Sequence, residues 1–128
     1  MTVKFMQSRS RSEIIADFLL LLEQDKIKLG WAQDQLVKCD KATQDLLHEL
    51  ELGEYKDRGR VATKLSQVRK DRRFYKDLTE ETEITANWLD SNKKQVENLK
   101  FALGKMRKVE EYHENRKYYP RIITGGEL

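Results

Sequence analysis

At 128 residues, with 37% charged and 38% apolar residues, one proline and six glycines, the chain is one domain's worth of long helices with broad solvated faces. That profile excludes a compact sheet protein. The formal net charge of +3 conceals strong segregation: residues 12–54 carry ten acids against four bases, whereas residues 55–78 carry nine bases against three acids. The most apolar uncharged run, Phe18 to Leu22, is too short to span a bilayer, and Met1 to Arg11 lacks the apolar stretch of a signal peptide. A single cysteine, Cys39, cannot make an internal disulfide. A cytoplasmic protein with no membrane contact is the expectation.

In chain order, Ser10-Arg11-Ser12-Glu13 has the form of a capping box and opens a first helix over about 11–29. Ile14, Ile15, Phe18, Leu19, Leu21 and Leu22 give it a wide apolar stripe, and Gly30 is expected to end it in a left-handed C-terminal turn. A second helix is predicted over about 33–52, with Leu36, Cys39 or Asp40, Thr43, Leu47 and Leu50 inward and Gly53 as its stop. Residues 54–59 form a linker before a long helix.

That long helix, about 60–90, has a seam at Val61, Leu65, Val68, Arg72, Tyr75, Thr79, Thr82, Ala86 and Leu89, with steps alternating between four and three residues. Thr79 to Glu83 is a rival break point, but the seam runs straight through it. A second seam, Val96, Leu99, Leu103, Met106, Glu110 and His113, marks a helix over about 92–116. Asp90-Ser91-Asn92 between them is turn and N-cap material, which predicts a coiled-coil-like antiparallel hairpin bent there. Its register sets Ala86 beside Val96, Tyr75 beside Met106, and Arg72 opposite Glu110, the charged pair that would fix the alignment. The expected architecture is thus all-α and single-domain: two N-terminal helices packed on this hairpin, with residues 1–10 and 121–128 as flexible or extended tails.

The residues give little for catalysis. His48 and His113 are the only histidines, neither sits in a converging ligand set, and no glycine-rich phosphate loop is present. No enzyme activity, cofactor or metal is expected. Binding is better supported. Arg58, Arg60, Lys64, Arg69, Lys70, Arg73 and Lys76 mostly avoid the seam, with Phe74 beside them. Such a stripe suits phosphates, or it docks on the acidic helix of its own chain or of a second copy. Tyr118, Tyr119 and Arg121 add a segment suited either to protein docking or to capping the hairpin. The thin seam and wide first stripe ask for further burial, and a homodimer is expected.

Three stretches, Gln44-Asp45-Leu46-Leu47-His48-Glu49-Leu50-Glu51-Leu52, Ala62-Thr63-Lys64-Leu65 with Arg72-Arg73, and Glu114-Asn115-Arg116 with Pro120-Arg121, resemble small helical proteins of temperate phages and prophages of Gram-positive bacteria. The resemblance implies a bacterial host cytoplasm and a non-enzymatic accessory product. Such a product binds and modulates a host or phage protein, including a defence nuclease such as a CRISPR effector. The alternative reading is a nucleic-acid-binding accessory protein using the basic face of residues 58–76.

Overall fold

A computed structural model describes residues 9–117, and they are organised as three α-helices. The helix α1 spans Arg11–Leu52, α2 spans Arg58–Ser91 and α3 spans Lys93–Asn115, with a single 3₁₀ turn, Tyr55–Asp57, between the first two. The all-α class and a long helical hairpin hold. The hairpin, however, is made by different helices from those the seams had paired.

α1 is one helix of 42 residues, not two. It starts as expected: the Ser10 hydroxyl accepts the Glu13 N–H at 3.2 Å. It does not stop at Gly30, because a buried seam passes through that point. From Leu22 the inward positions run Asp25, Leu29, Ala32, Leu36, Cys39, Thr43, Leu46 and Leu50, in strict three–four alternation. Gly30 lies exposed in the helix, and a Cβ built there meets nothing within 4 Å. One exposed glycine costs about 1 kcal/mol relative to alanine, too little to break a helix held by tertiary packing. Gly30→Ala should therefore raise stability by about 0.5–1 kcal/mol in thermal or urea unfolding. A loss of stability would instead show a left-handed cap at this site.

α1 ends at Gly53 by close approach. The Gly53 N–H bonds the Glu49 carbonyl at 2.7 Å, and a Cβ at Gly53 would lie 2.6 Å from that same oxygen. Its φ of −78° is ordinary, so steric room rather than a left-handed turn selects glycine.

Apart from Arg72 and His113, which are exposed, both predicted seams face inward, but both face α1. On α2, Val61, Thr82 and Ala86 are buried, and Leu65, Val68, Tyr75, Thr79 and Leu89 are half-buried. On α3, Val96 and Leu103 are buried, and Leu99, Met106 and Glu110 are half-buried. α2 returns antiparallel along α1, as shown by Arg72 at Asp40, Tyr75 at Trp31, Thr85 at Asp25 and Trp88 at Phe18. α3 then continues in the same sense toward the α1 N-terminus. Its Val96 and Leu103 form one core cluster with Leu19 and Leu22, and Ile15 and Ala16 pack against it.

The expected fold-back at Asn92 is corrected for a physical reason. Only Asn92 leaves helical geometry there, at φ −128° and ψ 37°, with its amide donating to the Trp88 carbonyl at 2.9 Å. One residue kinks a helix, whereas reversing it takes a loop of about two to five. The stretch from Gly53 to Asp57 has that length and makes the turn. α3 also begins on Lys93 and Lys94, with no acid and no side-chain cap in its first turn. That is a poor independent start but suits a kinked continuation of α2. Helix α2 itself passes through Thr79 to Glu83 unbroken.

Arg72 and Glu110 are accordingly not partners. Arg72 Nε donates to Asp40 Oδ1 at 2.9 Å, and Glu110 Oε1 accepts the Ser12 backbone N–H at 3.2 Å. Glu110 thereby places a carboxylate at the N-terminus of α1, where it satisfies a free amide and complements the helix dipole. His113, expected on the seam, is exposed beside the Tyr112 ring.

Candidate functional site: two edges of the α1–α2 hairpin

At about 100° per residue, Phe74, Thr85 and Trp88 share roughly 60° of the α2 circumference, and Arg69, Arg72, Arg73 and Lys76 share a sector centred roughly 140° away. The hairpin therefore presents two different long edges.

The first edge is aromatic. Phe18 meets Trp88 edge-on with ring centroids 6.3 Å apart, Trp31 meets Tyr75 at 5.4 Å, and Tyr75 meets Phe74 at 5.4 Å. These contacts join the helices yet leave the rings open: Phe74 is 60% exposed, and Phe18, Trp31 and Trp88 are each more than two-fifths exposed. Between them, buried Asp25 accepts the Thr85 hydroxyl at 2.6 Å, a polar contact that fixes the alignment of the two helices.

The second edge is basic. Asp40 and Thr43 of α1, with Arg69, Arg72, Arg73 and Lys76 of α2, line an open groove of about 330 Å³. Arg72 makes an ion pair with Asp40, and among the described residues Arg69, Arg73 and Lys76 have no carboxylate within 4 Å. Asp71, the nearest acid in sequence to Arg72, accepts instead from the Gln67 amide at 2.9 Å. Apart from Arg72–Asp40, the described residues of the acidic stretch thus make no ion pair with these basic groove residues. Cys39 lies beneath this region, buried, with its thiol pushed up by burial and then by Asp71 and Asp40. Burial and the neighbouring carboxylates favour the thiol over the thiolate there.

The sequence-derived candidates are divided by the fold. Arg69, Arg73 and Lys76 come together in the groove. Arg58 stacks over the Tyr55 ring at 5.4 Å, and Arg60, Lys64 and Lys70 are exposed on α2 but do not line the groove. Phe74 belongs to the aromatic edge. Tyr118, Tyr119 and Arg121 lie outside the described residues, as do the predicted tails apart from Arg9 and Ser10. Sequence reasoning missed Arg72 and Asp40 as groove residues, and Phe18, Trp31 and Trp88 as one edge. The three–four steps from Leu22 to Leu50 were the available signal, since they fix what α1 turns toward α2.

Among the described residues no group of three His, Cys, Asp or Glu side chains is placed to hold a metal ion, and no helix is long and apolar enough to cross a membrane. Compared with protein-family models, with curated proteins and with solved structures, the chain matches none.

Proposed function

We propose that the chain is a non-enzymatic binding protein that modulates a host or phage protein by laying the aromatic edge of the α1–α2 hairpin on its surface. The observation that carries this reading is the row Phe18–Trp88 and Trp31–Tyr75–Phe74, paired across two helices and still half open. Large rings on rigid backbone lose little entropy on docking and form the anchors of protein interfaces. Ile84, one turn before Trp88 on α2, is 73% exposed. A second copy of the chain is one such partner. The resemblance to small phage proteins supplies the setting, a bacterial cytoplasm.

The chain's two tryptophans, Trp31 and Trp88, are both on this edge, so their fluorescence reports it. Sedimentation of the protein alone reads self-association, and capture from a bacterial extract reads other partners. Partner binding should blue-shift the emission and protect it from acrylamide. Phe74→Ser with Trp88→Ser, helical by circular dichroism, should weaken capture by roughly 30-fold or more, as expected for losing an anchor of about 2 kcal/mol. Undiminished capture by that variant, or unchanged quenching in the complex, would refute the assignment.

A further inference from the structure

The basic groove is independent of the aromatic edge. We infer that it is a binding site for a nucleic-acid phosphate backbone, held by Arg69, Arg72, Arg73 and Lys76. Four cations face one carboxylate, Asp40, which leaves three positive charges in one open groove. The comparison within the molecule is direct. Where the three helices meet, a second groove of about 240 Å³ holds Glu23, Asp90 and Glu97 against Lys26, Lys93 and Lys100, so its charges balance. A groove at the end of α3 sets Lys108, Arg116 and Lys117 against Glu111, an excess of two positive charges, so the α1–α2 groove carries the largest excess of the three.

Three features point to phosphate rather than to an acidic protein surface. Three of the four cations are guanidiniums, whose planar forks match phosphate oxygens in pairs. The positions 69, 72, 73 and 76 fall on neighbouring turns and span roughly 10 Å of helix, the length of about three nucleotide steps at 3.4 Å. Every lining residue is polar or charged, whereas protein-binding grooves centre on apolar or aromatic anchors. The Arg72–Asp40 pair has both side chains about half exposed, so it costs little to open. Arg72 is therefore available to a phosphate, and Asp40 is then the repulsive neighbour that limits affinity. No aromatic ring lines the groove, so recognition would be of backbone charge, without stacking on the bases.

The test is fluorescence anisotropy of the full chain with labelled single-stranded DNA, duplex DNA and RNA. With three charges neutralised, the log–log salt slope should be about −2 on single strands and about −2.7 on duplex. Raising salt from about 50 to about 200 mM should then weaken binding roughly 20- to 40-fold. Arg69→Glu/Arg73→Glu/Lys76→Glu should abolish binding, while the equal charge change Lys28→Glu/Lys94→Glu/Arg107→Glu leaves most of it. If the glutamate triple loses helicity by circular dichroism, Arg69→Gln/Arg73→Gln/Lys76→Gln takes its place. The inference is overturned by no binding at low salt, by equal loss in both triples, or by polyglutamate displacing the nucleic acid at equal charge concentration, which would mark an acidic-protein surface.

Discussion

Leu22→Ala is expected to lower the unfolding free energy by about 2–5 kcal/mol, the range for deleting a fully buried leucine side chain and leaving a partly collapsed cavity. Leu22 is 2% exposed and forms one cluster with Leu19, Val96 and Leu103, the contact through which α3 docks on α1. Outside that cluster, the Glu110–Ser12 hydrogen bond is the one polar contact between these helices among the described residues. The loss is large against the roughly 5–15 kcal/mol that stabilises an ordinary domain. It should also be local at first. Amides of α3 should exchange faster than those in the middle of α2, because Leu89, at the end of α2, is the α2 side chain packed against Leu22's cluster and the rest of the α1–α2 seam lies beyond it. A change under about 1 kcal/mol in urea unfolding would mean that α3 is held by something else.

Ala32→Leu should destabilise by about 1–3 kcal/mol, for the opposite reason. Ala32 has no exposed surface, and Cys39, Thr82 and Ala86 of the same seam are also buried and small, whereas the larger buried residues, Asp25 and Val61, lie away from it toward the two ends of the pair. Small residues let the two helices approach closely, so extra methylenes must push them apart. Spreading the pair would disturb Asp25–Thr85 and the Trp31–Tyr75 contact, and tryptophan emission should shift red with the stability loss. Val37, on the same helix but half exposed, is the control, and Val37→Leu should be close to neutral. A stabilised Ala32→Leu would reveal space in the seam and contradict close approach.

The inward faces of α2 and α3 were legible apart from Arg72 and His113, which are exposed, because a three–four repeat names the buried face of a helix. It does not name the partner. The charged seam residues Arg72 and Glu110 were paired with each other, although each had another partner within reach of a different topology: Asp40 on α1 and the Ser12 amide. The division of α1 came from weighing Gly30 as a stop, against a buried repeat from Leu22 to Leu50 that crosses it. That repeat takes two successive three-residue steps at Leu19–Leu22–Asp25, and the seam rotates where α1 changes partner from α3 to α2. The basic residues of the groove were readable as a stripe, but their selection was not. Arg72 joins Arg69, Arg73 and Lys76 only because α1 runs beside them with Asp40 and Thr43. The aromatic edge depends on the same register, since Trp31 and Tyr75 are distant in sequence and meet only across the α1–α2 pair.

Both surfaces rest on α2 and α3 running on along α1 instead of folding on each other. The direct measurement is a spin-label distance between Asp77→Cys and Lys105→Cys, both exposed sites, in a Cys39→Ala background. With α3 continuing past the kink at Asn92, the labels should lie roughly 35–40 Å apart, from about 1.5 Å of rise per residue less the bend. In an α2–α3 hairpin these two positions face each other, and the distance would fall to about 10 Å, the spacing of packed helices. The longer distance is the expected result, and the shorter one would remove both the aromatic edge and the basic groove as described.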